Sequence, residues 1–161
     1  MTISTDAEQV GYGRFAAVKG QALDIISSVG ATRTLVQKES GAICLNDRAA
    51  GIVWTLPTPV LGMNFTFVTT VQRTSNSYKV ITNAATQFLV GAVMSGDATI
   101  ATSGDIFTAD GTTHVAITND GDTKGGFVGE RFTVRAISTT QWYIEGLVIG
   151  TGTMVTPFTT S

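Results

Sequence analysis

Proline and side-chain alternation together restrict what the stretch GIVWTLPTPVLGMNFTFVTT, residues 51–70, can become. Pro57 and Pro59 have no backbone N–H to give a sheet, and each biases the residue before it, Leu56 or Thr58, toward extended backbone. Thr55 to Leu61 therefore leaves any sheet and turns a corner, and Gly62 lets the chain re-enter. Beyond the corner Phe65 and Phe67 share one side, while Asn64, Thr66 and Val68 share the other. The stretch predicts a strand, a corner and a second strand with the phenylalanines facing a core.

The same grammar runs through the rest of the chain from Thr32. Short apolar or alternating runs (TRTLVQK, GAICLN, YKVIT, QFLVGAV, ATIAT, THVAIT, ERFTVRAIS, QWYIEGLVIG) are separated by Asn46-Asp47, Asn76-Ser77, Ser95-Gly96-Asp97, Ser103-Gly104-Asp105, Asp110-Gly111 and Asn119-Asp120-Gly121-Asp122. These read as antiparallel hairpin turns. Charged residues make up only 14% of the chain against a usual quarter or so, and Thr, Ser and Gly take their place, which suits exposed strand faces better than exposed helices. The expectation is an all-β fold: an antiparallel β-sandwich, jelly-roll-like, or a β-barrel, over 32–161. Alternation places Phe65, Phe67, Phe132, Val134, Trp142 and Ile144 in its core, and it puts Trp142 and Tyr143 on opposite faces.

Residues 1–31 read differently. Val10, Phe15, Val18, Leu23, Ile25 and Ile26 follow no period of two, and Gly11, Gly13 and Gly20 interrupt any helix, so the segment is expected to be an extended N-terminal arm. It is too apolar to stay uncovered, and Tyr12, Arg14 and Phe15, types enriched at interface centres, are its candidate contact residues. MTISTDAEQVGYGRF has neither a basic nor an apolar leader region, and no apolar run is long enough to span a bilayer. A soluble protein made in the cytoplasm and without a membrane partner is expected. The net charge is −2 and the basic residues are scattered, so nucleic acid is not an expected ligand.

No motif nominates a catalytic, cofactor or metal site. Gly11-Tyr12-Gly13 lacks the preceding strand and following lysine of a phosphate loop. His114 is the only histidine and reads as an exposed strand residue; Cys44, the only cysteine, reads as an inert strand thiol. Asp120 and Asp122 in NDGDTKGG lack the further oxygen ligands of a calcium loop and read as a surface turn. Asp105, Asp110 and Glu130 would form a glycosidase-like carboxylate set only if the fold brought them together.

TLVQKESGAICLNDRAAGIVWTLPTPVLGMNFTFVTT, with its Leu-Pro and Pro-x-x-Gly corner, and the later GERFTVRAISTTQWYIEG, a Gly-Glu turn into an alternating strand and a tryptophan strand, together resemble head decoration (cement) proteins of tailed bacteriophages. The likeness covers about Thr34 to Gly146. It implies a non-enzymatic, cofactor-free homotrimer that sits on the outer capsid surface of the virion at three-fold or quasi-three-fold positions and clamps the major capsid protein. The alternative is a receptor- or carbohydrate-binding β-sandwich of a tail fibre or spike, in which Trp54, Tyr78, Trp142 or Tyr143 would line a sugar-sized groove.

Overall fold

The computed structural model describes residues 23–99 and 104–161. These form a β-sandwich of two sheets, built from β1 (Ile25–Ile26), β2 (Thr32–Thr34), β3 (Ile43–Asn46), β4 (Ile52–Thr55), β5 (Asn64–Thr69), β6 (Tyr78–Ile81), β7 (Phe88–Asp97), β8 (Ile106–Asp110), β9 (Ala116–Asn119), β10 (Arg131–Ala136), β11 (Gln141–Gly150) and β12 (Phe158–Thr159). One sheet has the order β1-β3-β5-β10-β11-β7-β8, the other β12-β9-β6-β4-β2. A single 3₁₀ turn, Gln37–Glu39, lies between β2 and β3.

Both sheets are mixed, which corrects the expectation of antiparallel pairing. From β1 to β6 the chain changes sheet at every connection, so strands two apart in sequence become neighbours and run the same way: β1, β3 and β5 are parallel, as are β2, β4 and β6. The turn residues at Asn46-Asp47, Asn76-Ser77 and Asp110-Gly111 therefore sit in arches between sheets, not in hairpins. Turn chemistry reports a reversal of direction but not which sheet receives the next strand. Consecutive strands pair antiparallel in β7–β8 and β10–β11. Ser95-Gly96-Asp97 belongs to the end of β7, because pairing with Val148 to Gly150 of β11 carries the strand through it.

The described part of the expected arm also belongs to the sandwich. Ile25 and Ile26 pair with Ile43 and Cys44, Ile26 is buried, and Ser28 bonds Leu45 O and Asp47 Oδ1. A two-residue strand is too short to show a period.

The phenylalanine face is the core face. Phe65, Phe67, Phe132, Val134, Trp142 and Ile144 are all buried, opposite Ile52, Trp54, Tyr78, Val80 and Ile117 of the smaller sheet. Phe67 stacks on Phe132 at 5.3 Å and meets Trp54 edge-on at 6.0 Å, joining the two sheets. β4 ends at Thr55 and β5 starts at Asn64, with the proline corner between them and Gly62 at φ 84°.

Candidate functional site

The side chains that could do chemistry are turned inward or committed to turns. Glu130, just before β10, is fully buried. Its Oε2 accepts from the backbone N–H of Gly126 (2.7 Å) and of Ile149 (3.1 Å), and its Oε1 from Asn119 Nδ2 (2.8 Å) and the Thr69 hydroxyl (3.4 Å). Thr69 in turn accepts from Asn46 Nδ2, and Asn46 Oδ1 accepts from Trp54 Nε1 at 2.9 Å, so one buried chain of hydrogen bonds links both sheets. Gly125, at φ 94°, is required here because a Cβ would collide with the Glu130 carboxylate. Burial pushes the Glu130 carboxyl up to about 7 against the pull of its four donors.

Asp110 is occupied differently. Its carboxylate accepts from the backbone of Thr112, Thr113 and His114 and from the Thr113 hydroxyl, and these bonds, with the hydroxyl foremost, hold it well below the usual carboxylate range. The turn so formed takes His114 out of the strand, a correction to its expected place: it precedes β9, accepts from Asp110 N–H at Nδ1 and lies 5.7 Å from the Phe158 ring. Asp105 and Asp110 stand at opposite ends of β8, about 16 Å apart, and β8 lies three strand spacings, about 14 Å, from the β10 strand that Glu130 precedes, so the fold does not bring Asp105, Asp110 and Glu130 within the span of a glycosidase-like pair. Asp120 accepts from the N–H groups of Asp122 and Lys124, the expected surface turn. Cys44 is buried and its thiol is pushed up to about 12, chiefly by that burial. Among the described residues no group of three or more His, Cys, Asp or Glu is placed to hold a metal, and no helix is long and apolar enough to cross a membrane.

What the fold presents to the outside is the solvent face of the seven-stranded sheet. Register aligns three rows across it. The first is Leu45, Val68, Arg131, Leu147, Met94 and Ile106, on β3, β5, β10, β11, β7 and β8. The second is Ile43, Thr66, Thr133, Glu145, Ala92 and Thr108, and the third Asn64, Arg135, Tyr143, Val90 and Asp110. Exposure reaches 60% at Met94, 68% at Ile106 and 40% at both Tyr143 and Leu147, high for apolar side chains gathered on one sheet. A shallow groove of about 690 Å³ runs over β10, β11 and β7 between Arg131, Glu145, Leu147 and Met94. Among the described residues the charged side chains of Arg33 and Glu39 pair, and Asp110 lies 3.3 Å from the His114 ring, so Arg131, Arg135 and Glu145 enter this face without an ionic partner among those residues.

The predicted contact residues Tyr12, Arg14 and Phe15 lie outside the described residues. Of the four aromatics that a sugar groove would use, Trp54, Tyr78 and Trp142 are buried and only Tyr143 reaches the surface. Sequence reasoning did not single out Arg131, Leu147, Met94 or Ile106. The available signal was Leu147 and Ile149 in QWYIEGLVIG, apolar residues on the same alternating face as Gln141 and Glu145. Comparison of the chain with family models, curated proteins and solved structures found no match.

Proposed function

We propose that this protein is a structural virion component that decorates and stabilises the outer surface of a bacteriophage capsid as a homotrimer at three-fold or quasi-three-fold positions. The observation that carries the reading is the broad, half-apolar outer face of the seven-stranded sheet, where Arg131, Arg135 and Glu145 have no ionic partner among the described residues, on a sandwich that encloses Glu130 and Cys44 and holds Asp110 and Asp120 in turns. Such a surface suits the association of copies of the chain over a wide area. The sequence likeness to head decoration proteins supplies the partner, the major capsid protein.

The mechanism needs no reaction. A protein that binds only the expanded, assembled shell stabilises that state by mass action, and a trimer multiplies weak contacts through their high effective concentration. The contact residues proposed from the sequence are Tyr12, Arg14 and Phe15.

The test is co-sedimentation of the full chain with expanded phage heads stripped of decoration, beside unexpanded heads and a glycan array. Saturable binding to expanded heads is expected, reduced at least tenfold by Tyr12→Ala with Phe15→Ala. Binding to glycans and to neither kind of head would replace this reading with that of a receptor-binding module.

A further inference from the structure

We infer that the outer face of the seven-stranded sheet is self-complementary and packs on the same face of a second copy about a two-fold axis. Strand register carries the symmetry. Leaving out the two-residue β1, the boundary between β10 and β11 divides the sheet into three strands on each side, β3-β5-β10 and β11-β7-β8. An axis parallel to β10 and β11, above the line between them, lays β10 over β11, β5 over β7 and β3 over β8 of the second copy. Each row then maps onto itself.

The side chains match under that operation. In the first row Met94 meets Val68 of the second copy and Ile106 meets Leu45, apolar on apolar, with the two most exposed apolar side chains of this face covered. Leu147 lies against the aliphatic stem of Arg131. In the second row Glu145 stands over Thr133 of the second copy, between Arg131 and Arg135, which are two residues to either side of it on β10. Both copies thus pair charges that have no ionic partner among the described residues of one chain. In the third row Tyr143 faces Arg135, a cation over an aromatic ring.

This is isologous packing, in which each contact occurs twice. The area is adequate. Six strands spaced about 4.8 Å apart, the longest about 33 Å, cover several hundred Å², the scale of the roughly 800 Å² that one partner gives to a standard interface. Face-to-face sheets with nearly aligned strands are a common packing. The inference stands whether or not the protein binds capsids. A two-fold face is also compatible with a trimer, since a two-fold contact can join one trimer to the next.

Two measurements on the full chain test it. Sedimentation velocity of the wild type should show assemblies containing an even number of chains, and Met94→Arg, at an exposed position, should weaken them at least tenfold while the far-UV spectrum stays that of the wild type. In the second, Val68→Cys with Met94→Cys is treated with a short bis-maleimide. These positions are three strands apart in one chain, about 14 Å, too far for the reagent to bridge, and the buried native Cys44 does not compete. Covalent dimers should form from the double variant and not from either single one. Identical sedimentation of wild type and Met94→Arg, or cross-linking no better in the double variant than in the singles, would overturn the inference. Loss of head binding by Met94→Arg with unchanged self-association would also overturn it, assigning the face to the shell.

Discussion

Glu130→Ala should destabilise the sandwich, and by an amount that depends on pH in a direction set by burial. In the folded chain the carboxyl is raised from 4.5 to about 7. Between those values the unfolded chain has lost a proton that the folded chain keeps, so folded-state stability is fully present below pH 4.5 and falls as pH rises to 7, by on the order of 3 kcal/mol. Alanine removes that slope. At pH 4.5 the protonated acid still accepts from about three of its four donors, and alanine accepts from none. At about 1–2 kcal/mol for each orphaned donor, the variant loses roughly 3–6 kcal/mol there. By pH 8 the penalty should shrink by on the order of 3 kcal/mol, because the wild type then bears the cost of a buried charge that the variant lacks. Urea unfolding followed by tryptophan fluorescence at both pH values measures the difference. Glu130→Gln, which keeps the volume but cannot ionise, should flatten the slope in the same way and so separates charge from cavity. A penalty that is equal at the two pH values, or larger at pH 8, would refute the reasoning.

Three further outcomes follow from the packing. Phe67→Ala, which removes a fully buried ring between Phe132 and Trp54, should cost about 3–5 kcal/mol in urea unfolding, and a loss under about 1 kcal/mol would contradict the core assignment. Deleting residues 1–31 should lower the unfolding midpoint, because Ile26 and the Ser28 bonds to Leu45 and Asp47 go with β1, and an unchanged midpoint would contradict the place of β1 in the sheet. Cys44 should resist a thiol reagent at pH 8 in the native protein and react at once in denaturant, since burial keeps the thiol protonated.

The fold class and its core were legible in the sequence because alternation is a local property: Phe65 and Phe67, or Trp142 and Tyr143, declare their faces within three residues. Sheet membership was not. Whether the strand after Asn46-Asp47 pairs back in a hairpin or crosses to the other sheet depends on packing between residues far apart in the chain, and the same turn residues serve both. The site was harder still. Arg131, Leu147 and Met94 are unremarkable one by one, and they become a row only once parallel pairing of β7 with β11 sets their register. Glu130 was visible as a carboxylate, but its enclosure depends on Thr69, Asn119, Gly126 and Ile149, which come from four separate parts of the chain.

Electron cryo-microscopy of the parent virion tests the central proposal most directly. Density fitted by this sandwich on the outer shell, three copies around each three-fold or quasi-three-fold position, is the predicted result. A shell whose outer surface is fully accounted for by other chains, with the sandwich found at the tail or not in the particle, would contradict it.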